Sequence, residues 1–504
     1  MSANAVAAPE TRSSFREVLT VRWLPFWVAF AAALAFRLFA LGDRPLHHDE
    51  GVNAWFLYKI LNGYQFSYDP DKFHGPFLFY FGVPFAFVSG VGDLALRVPI
   101  ALLSSAMGPL LLPLRRRLGV AGVTAAAWML ALSPSLVSYG RDLIHETCLV
   151  FFTLALVVAG LLYLETRRQR DLVLTALCLG LLATIKETYV LTLAVLVIAA
   201  VLARIWAYGR PRLGALLGRP APEAVIWAAV AFAVPYVFLY TSFFTNPYGL
   251  ADSVRTFSLW ANKGIAGAEH AKPWYYFPHM LLAFETVTVA CAVAGGCLAI
   301  RRRDSFGTFC ALWAGGELAA YSLLRYKTPW LDLNLVLPAA VAGGVLFREA
   351  FARPWQRAAR AGLVALFALG LVWGAWRSIQ VSFLRYDDDS LALVYVPTDR
   401  DVRDLLVQVR GILGRIPPGE TASLLMVGHH AWPLPWYFHD VKDMEYSQDV
   451  PDDADADVLI VEGDMEDQLQ SALKERYRRK EYVLRPRQKV VVFVNEGLGG
   501  GLRP

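Results

Sequence analysis

Apolar segments long enough to cross a lipid bilayer recur along the chain between Leu24 and Gln380. A transmembrane helix needs about 20 mainly apolar residues, because the hydrocarbon core of a bilayer is about 30 Å thick. Hydrophobic residues make up 56% and charged residues only 18% of the 504 residues, with a mean hydropathy of +0.40, which excludes an ordinary soluble enzyme. The sequence therefore predicts a polytopic α-helical membrane protein. We expect about eleven spans, at residues 24–41, 94–114, 122–139, 147–164, 171–185, 188–206, 224–243, 278–300, 306–324, 331–349 and 361–380.

The connections between these segments alternate in character, and this alternation predicts the orientation of the chain. Arginine clusters occur in alternate connections, which the positive-inside rule assigns to the cytoplasm. These are residues 115–117, 165–170, 204–212, 301–303 and 353–360. The other connections are richer in acids, histidines and aromatic residues and are expected outside: 42–93, 140–146, 186–187, 244–277 and 325–330. Residues 1–23 are a predicted cytoplasmic tail, since the apolar run that follows is too long for a signal-peptide core.

Two domains are expected. Residues 24–384 form the predicted transmembrane domain, with residues 42–93 as its large outer loop, where Phe77 to Val88 predict a short interfacial or re-entrant helix. Residues 385–504 have the composition of a soluble domain, and an odd number of spans places it outside the cytoplasm. We expect a small α/β domain, with strands at 423–427, 458–461 and 490–494 and helices at 399–413 and 464–478.

Charge and cysteine content exclude several other classes of protein. The net charge is only +5, and the arginines do not form one basic face, so nucleic acid is a poor candidate partner. The five cysteines show no paired spacing, which argues against a disulfide framework or a zinc site. No glycine-rich phosphate loop follows any predicted strand.

The first outer loop begins with His47, His48, Asp49 and Glu50, directly after the first predicted span. Adjacent carboxylates repel each other, so either one has a raised pKa or both face a cation. The alternative is a solvated acidic helix start that Asp49 caps. Further along this loop, His74 precedes a Gly-Pro pair and an aromatic run, and its alternative interpretation is a turn residue at the membrane interface.

Three further polar clusters are placed at the outer ends of predicted spans. Charged groups at such positions are costly unless they are paired or face a watery cavity. An internal salt bridge would explain the second of these clusters, and a snorkelling anchor with an aromatic belt residue would explain the third. Four clusters that are distant in sequence but share one face still favour a single external site. The three clusters are Arg141, Asp142, His145 and Glu146; Lys186 and Glu187; and Arg325, Tyr326, Lys327, Thr328, Pro329 and Trp330.

The order of these motifs resembles that of the GT-C membrane glycosyltransferases. The resemblance is to glycosyltransferase family 39, in the branch of the protein O-mannosyltransferases and aminoarabinose transferases, and it is closest to the prokaryotic flippase-activity-associated proteins. It covers nearly the whole chain. The motifs are Asp49-Glu50, His74-Gly75-Pro76, residues 95–99, residues 132–134, Arg141 and Glu146 for the superfamily, and residues 184–188, 272–276, 327–330, 432–434 and 436–437 for the subfamily.

The resemblance implies a GT-C fold and an activity. The chain would transfer a sugar, with inversion, from a polyprenyl-phosphate-linked donor to a glycan, lipid or protein acceptor at the outer face of the cytoplasmic membrane. An outward site agrees with a lipid-linked donor, because nucleotide sugars are cytoplasmic. Asp49 matches the first acid of the family pair and would be the general base, with Glu50 as its supporting acid.

The remaining site residues also follow from the resemblance. The leaving phosphate needs stabilisation of negative charge, for which the candidates are Arg141, Lys186, Lys327 and Arg325. Supporting or substrate-binding roles fall to His48, His74, Glu146, Glu187 and Trp330. A divalent cation, Mg or Mn, is optional in this superfamily, and Glu50 and Glu146 are its candidate ligands. Glu146 departs from the aspartate common in relatives, and no second acidic pair occurs around residues 260–276.

Two other functions remain open at this stage. The chain could be an accessory protein or transporter that keeps the GT-C scaffold and assists flipping of polyprenyl-linked sugars, although transport would require access from both faces. It could also be a non-catalytic receptor whose C-terminal domain binds a partner. The surface considered for that partner, which packing within the domain explains equally, comprises His429, His430, Trp432, Trp436 and His439.

Overall fold

The computed structural model of the chain describes residues 15–71, 74–209, 220–265, 270–415 and 421–498. Helices form the first part of the chain, and a small α/β domain follows. The helices of the first part are α1 (Phe15–Val18), α2 (Leu24–Leu38), α3 (His48–Leu61), α4 (Phe77–Ser89), α5 (Asp93–Leu110), α6 (Arg115–Leu132), α7 (Pro134–Tyr139), α8 (His145–Thr166), α9 (Gln169–Ala183), α10 (Tyr189–Tyr208), α11 (Pro222–Tyr240), α12 (Gly249–Ile265), α13 (Tyr276–Phe284), α14 (Thr286–Arg301), α15 (Ser305–Leu323), α16 (Leu333–Ala352) and α17 (Arg357–Ile379).

Long apolar helices make this first part an integral membrane domain. Within the described ranges, seven helical stretches are long and apolar enough to cross a membrane, or eight if the bent pair α13 and α14 is one span. The stretch from 93 to 132 has 40 residues, enough to cross about 30 Å twice at about 1.5 Å per residue. The predicted polytopic helical architecture is confirmed, while the number of about eleven spans stays a prediction.

Two of the predicted spans are broken by polar residues. The predicted span 122–139 ends at Leu132, because the Ser133 side chain caps a new helix that starts at Pro134. The predicted span 278–300 consists of α13 and α14, which meet at 105° around Glu285. Ser133 Oγ donates to Glu285 Oε1 over 2.6 Å, so the two breaks are joined to each other. Both expected spans are therefore corrected to broken helices.

The C-terminal domain is an α/β domain, as predicted. Its five-stranded sheet has the order β2-β1-β3-β5-β4, in which β1 runs parallel to β2 and β3, while β5 is antiparallel to β3 and β4. The elements are α18 (Asp401–Leu413), β1 (Ser423–Val427), α19 (Leu434–Tyr437), β2 (Asp443–Ser447), β3 (Val458–Glu462), α20 (Glu466–Ala472), β4 (Tyr477–Arg485) and β5 (Gln488–Asn495).

The three predicted strands are found at β1, β3 and β5, and the helix expected at 399–413 is α18. The helix expected at 464–478 is wrong beyond residue 472, because Tyr477 already pairs with Asn495 in the β4–β5 ladder. Strand β2 was not predicted, because the residues from Asp443 to Ser447 alternate only weakly between apolar and polar. This strand is partly exposed, whereas its neighbour β1 is deeply buried.

The C-terminal domain packs on the start of α3. The backbone N–H of Leu46 donates to the Tyr437 hydroxyl over 2.7 Å, and that hydroxyl donates to Asp93 Oδ2 over 2.7 Å. Thr398 Oγ1 donates to the Leu46 carbonyl over 2.7 Å. These contacts fix the first outer loop between the helical domain and the α/β domain.

Arginine-rich connections come together away from this interface. Arg348 donates to the Arg117 carbonyl over 3.1 Å and to Asp304 over 2.6 Å, and Arg117 pairs with Glu165 over 2.6 Å. The cytoplasmic side of these connections stays a prediction. Most of the predicted tail, part of the connection 204–212 and Phe73 lie outside the described residues.

Candidate active site

The N-terminus of α3 is capped by His47 and not by Asp49. His47 Nδ1 accepts from the Asp49 backbone N–H over 3.1 Å, and Glu50 Oε2 accepts from the His47 backbone N–H over 2.9 Å. This reciprocal pair is a capping box with histidine in the usual serine position. The expectation that Asp49 caps the helix is therefore corrected, and the Asp49 carboxylate is left free for another use.

Glu50 is fully buried and serves the fold. Arg97 donates to both of its oxygens, over 2.8 and 2.6 Å, and the Leu143 backbone N–H donates over 2.9 Å. Burial raises the pKa of Glu50, but the charge and hydrogen bonds of Arg97 outweigh it and hold the pKa at about 2. Because these bonds occupy its oxygens, Glu50 does not fit the predicted role of a metal ligand.

A polar cavity of about 210 Å³ lies between α3, the start of α8 and the loops before α4 and α16. Six of the residues singled out from the sequence meet there: His48, Asp49, His74, His145, Glu146 and Trp330. Sequence reasoning missed Asn53, which follows Asp49 by one helical turn and therefore shares its face. The complete lining is His48, Asp49, Val52, Asn53, His74, Phe79, Ile144, His145, Glu146 and Trp330.

The loops are brought together by backbone bonds. The Gly75 N–H donates to the Ile185 carbonyl and the Phe77 N–H donates to the Thr184 carbonyl, both over 3.0 Å. A Cβ on Gly75 would lie 2.2 Å from the Thr184 oxygen, so only glycine allows this approach. The pairing of the two loops places His74 beside Glu187.

Acids around the cavity are paired with a lysine or a histidine, with one exception. Glu146 forms a buried ion pair with Lys186, and Glu187 Oε2 lies 3.1 Å from His74 Nδ1. Burial raises the pKa of Glu187, and the charge and hydrogen bond of His74 outweigh it and lower the pKa. Asp49 lines the cavity half-buried, and no residue in the described part of the chain gives its carboxylate a hydrogen bond or an ion pair.

His48 is a neutral group of the cavity wall. Burial is the largest cause that lowers its pKa, to about 4, with Arg485 acting in the same direction and Asp49 opposing. A ring with this pKa is uncharged at neutral pH, so His48 acts there through hydrogen bonds and not through a positive charge.

Arg141 lies outside the cavity, contrary to its predicted phosphate-binding role. Its guanidinium is 1% exposed and donates to the carbonyls of Phe36, Phe39 and Ala40 over 3.0, 2.7 and 3.0 Å. These are carbonyls at the C-terminal end of α2, which have no partner within the helix. Burial lowers the pKa of Arg141 to about 9. This arginine therefore caps a helix.

Lys327 and Arg325 are also absent from the cavity wall. The Lys327 ammonium is buried, donates to the carbonyls of Leu324 and Lys272, the latter over 3.2 Å, and has a pKa lowered by burial. Arg325 is exposed on the same segment. Their neighbour Trp330 does line the cavity, and its ring lies 6.1 Å from that of His47.

The residues predicted to hold a divalent cation do not fit one. Glu50 is bound to Arg97, and Glu146 is bound to Lys186. No group of three or more histidine, cysteine, aspartate or glutamate side chains suited to a metal occurs in the described ranges. The Mg or Mn expected from the resemblance stays a prediction.

The chain is similar to known proteins in part of its sequence and in its fold. Residues 73–240 match the family described as dolichyl-phosphate-mannose-protein mannosyltransferase. No curated protein matches the sequence. In fold, the chain is similar to ArnT from Cupriavidus metallidurans bound to undecaprenyl phosphate, with a TM-score of 0.65 and 15% identity over 95% of this chain and 99% of that chain.

A second similar fold is the oligosaccharyltransferase of Archaeoglobus fulgidus tethered to an acceptor peptide. The TM-score is 0.51 at 14% identity, over 86% of this chain and 64% of that chain. The apo form of the Cupriavidus metallidurans protein gives the same TM-score as its complex, 0.65, at 16% identity. These similarities establish a common fold.

Proposed function

The chain has the GT-C fold of membrane glycosyltransferases, in a form like that of family 39, and from this we propose that it transfers a sugar from a polyprenyl-phosphate-linked donor to an acceptor. The acceptor would be a glycan, lipid or protein hydroxyl or amine at the outer face of the cytoplasmic membrane, with the C-terminal domain on that side. The observation that carries the proposal is the unpaired carboxylate of Asp49 in a cavity whose other acids are paired.

Asp49 is the general base in this proposal. As the acceptor oxygen or nitrogen attacks the anomeric carbon, its proton passes to the Asp49 carboxylate, and the bond between that carbon and the phosphate oxygen breaks. The electron pair of this bond leaves with the phosphate, and the configuration is inverted. A phosphate is a weak base, so no strong general acid is needed. A carboxylate already paired with an arginine or lysine would be a poorer base.

Binding of the donor phosphate falls to groups at the cavity wall. Lys186 does not line the cavity, and its buried ion pair with Glu146 keeps its positive charge directly behind the wall. Histidine N–H groups of His48 and His74 supply further donors. Arg325 is exposed on the segment whose Tyr326 ring contacts Trp260, which packs on His74 at 4.6 Å. We propose that Arg325 meets the phosphate at the rim of the cavity.

Similar proteins support this choice of donor. The matched family is described as using dolichyl-phosphate-mannose, and the similar ArnT was obtained with undecaprenyl phosphate bound. Both are phosphates on long polyprenyl chains. Undecaprenyl-phosphate mannose is therefore the first donor to test, followed by other undecaprenyl-phosphate sugars.

The test compares Asp49→Asn with the wild type in proteoliposomes that contain donors labelled in the sugar. We expect transfer of the label to fall by a factor of about 10² to 10⁴, the usual contribution of a general base. The matched control is Asp43→Asn, because Asp43 is an exposed acid in the same loop. Unchanged turnover in Asp49→Asn would remove the base assignment. Movement of labelled donor across the bilayer without acceptor-dependent release of sugar would favour the transporter alternative.

A further inference from the structure

A buried arginine of the C-terminal domain reaches the wall of the candidate active site. Arg485 is the last residue of β4 and is only 6% exposed. Its guanidinium donates to the carbonyls of His430, over 3.2 Å, and Trp432, and to Gln488 Oε1, over 2.9 Å. The same guanidinium lies 3.2 Å from His48 Nδ1. Arg485 thus connects the α/β domain with the cavity.

The partners of Arg485 are all uncharged, and unlike those of Arg141 they do not lie at the C-terminal end of a helix. No carboxylate in the described part of the chain lies within 4 Å of it. Burial lowers its pKa to about 10, and the nearest acids that act on it are Glu462 and Asp49. Burying a charge without an opposite charge destabilises a fold. A role in the cavity explains its position better than a role in stability.

The contact with Arg485 determines the tautomer of His48. A guanidinium can only donate hydrogen bonds, so His48 Nδ1 must be the accepting nitrogen and carry no proton. In a neutral ring the proton then resides on Nε2. Among the described residues Nε2 has no partner, and the ring lines the cavity. His48 therefore offers an N–H donor to a ligand.

A phosphate in this cavity needs such donors. Of the cations near it, Lys186 is paired with Glu146 and Arg97 with Glu50, while Arg485 is held by uncharged acceptors. We propose that Arg485 is a positioning residue that holds His48 in the Nε2–H tautomer, so that His48 donates a hydrogen bond to the phosphate of the lipid-linked donor. The inference rests on the proposed function, and it makes the C-terminal domain a required part of the donor site.

Binding of undecaprenyl phosphate to the full-length protein in detergent is the first measurement. Removing a hydrogen bond to a charged group is expected to weaken binding at least about tenfold. We therefore expect His48→Ala and Arg485→Gln each to raise the Kd by about that factor. The matched control is Arg487→Gln, an exposed arginine two residues further along the same hairpin, which should leave the Kd unchanged.

A double-mutant cycle separates positioning from a general effect. If Arg485 acts through His48, the double variant binds no more weakly than His48→Ala alone. Losses that multiply in the double variant would overturn the proposal. If Arg485→Gln does not fold, Arg485→Lys replaces it, because lysine keeps the charge and one donor but lacks the planar fork that contacts three acceptors.

Nitrogen NMR of protein labelled with ¹⁵N-histidine reads the tautomer directly. The His48 signals are identified by their absence in His48→Ala. We expect one Nε2–H form in the wild type and a mixture of tautomers in Arg485→Gln. An unchanged pattern would refute the positioning role even if turnover falls. Loss of turnover in Asp49→Asn with normal binding and tautomer tests the proposed function separately.

Discussion

Replacement of Glu50 by glutamine is expected to destabilise the protein, because this acid holds the fold together next to the proposed base. Its carboxylate receives two hydrogen bonds from Arg97 and one each from the backbone N–H groups of Leu143 and His47. Both side chains of the ion pair are fully buried. Glutamine keeps one accepting oxygen but leaves the Arg97 charge buried without an opposite charge.

The magnitude follows from the pKa of Glu50, which is about 2 in the folded protein and 4.5 ordinarily. The difference between these values, at about 1.36 kcal/mol for each pKa unit, corresponds to about 3 kcal/mol of stability. This value agrees with the loss of about 3–5 kcal/mol of stability that follows removal of one partner of a buried ion pair. Because the folded-state pKa is lowered, this stability is fully present above about pH 4.5 and is lost as the pH falls towards 2.

The assay compares apparent melting temperatures in detergent. The readout is the fraction of protein that stays monodisperse after heating. Glu50→Gln should melt well below the wild type at pH 7, and the difference between them should shrink as the pH falls below 4.5. Asp49→Asn is the matched control, since it removes the same charge one residue earlier and should melt like the wild type. A Glu50→Gln variant as stable as Asp49→Asn would refute this reasoning.

Two further variants test the contacts that assemble the cavity. Gly75→Ala should give little monodisperse protein, because its Cβ would lie 2.2 Å from the Thr184 oxygen, whereas Gly315→Ala, with open space at its Cβ, should express normally. Equal yields would contradict the close approach of these loops. Lys186→Met should cost about 3–5 kcal/mol of stability by leaving Glu146 buried and unpaired. A double variant with Glu146→Gln should regain melting temperature but not turnover, and failure to regain it would argue against the pair.

The hydrophobic pattern predicted the parts of the fold in which the burial of apolar side chains is the dominant effect. Long apolar runs require lipid or a deep core, so α8, α10 and α11 were predictable from length and composition alone. Strands β1 and β3 are buried along almost their whole length and appear as short apolar runs between turn residues. The β4 segment carries several charged residues on its exposed face, a pattern that is also typical of the surface of a helix. Its strand conformation depends on pairing with β5, which the pattern does not reveal.

Breaks within apolar runs were not predictable, because they depend on partners far along the chain. Glu285 interrupts a span of suitable length, and its buried carboxylate is accepted there because Ser133 and the Ser135 N–H donate to it, over 2.6 and 3.1 Å. A sequence window contains only one side of this pairing. If only one of the two breaks were present, its polar group would be buried without a hydrogen-bond partner, which destabilises a fold. Each break supplies the partner of the other.

Some of the candidate site residues meet at the cavity, whereas Glu50, Arg141 and Lys327 do not line it, and the roles of all of them stay predictions. The residue types alone do not distinguish Asp49 from Glu50, or Arg141 from Lys186, and only the resemblance gave the two acids different roles. In the structure their contacts differ. Glu50 forms an ion pair with Arg97, and Arg141 donates hydrogen bonds to carbonyls at the end of α2, whereas the Asp49 carboxylate has no such partner in the described part of the chain. Arg485 had no signal in the sequence, because only folding of β4 brings it 3.2 Å from His48.

Under the proposed mechanism, this pattern of pairing also explains how the reaction handles charge. An ionised Asp49 and a donor phosphate in one small cavity repel each other, which raises the energy of the bound ground state. When the acceptor proton passes to Asp49, that repulsion disappears just as negative charge grows on the leaving phosphate. Arg97 and Lys186 are tied to Glu50 and Glu146, so neither of them pairs with the Asp49 carboxylate. A cation paired directly with Asp49 would strengthen binding of the donor phosphate but weaken the base, and neutral N–H donors such as His48 avoid that conflict.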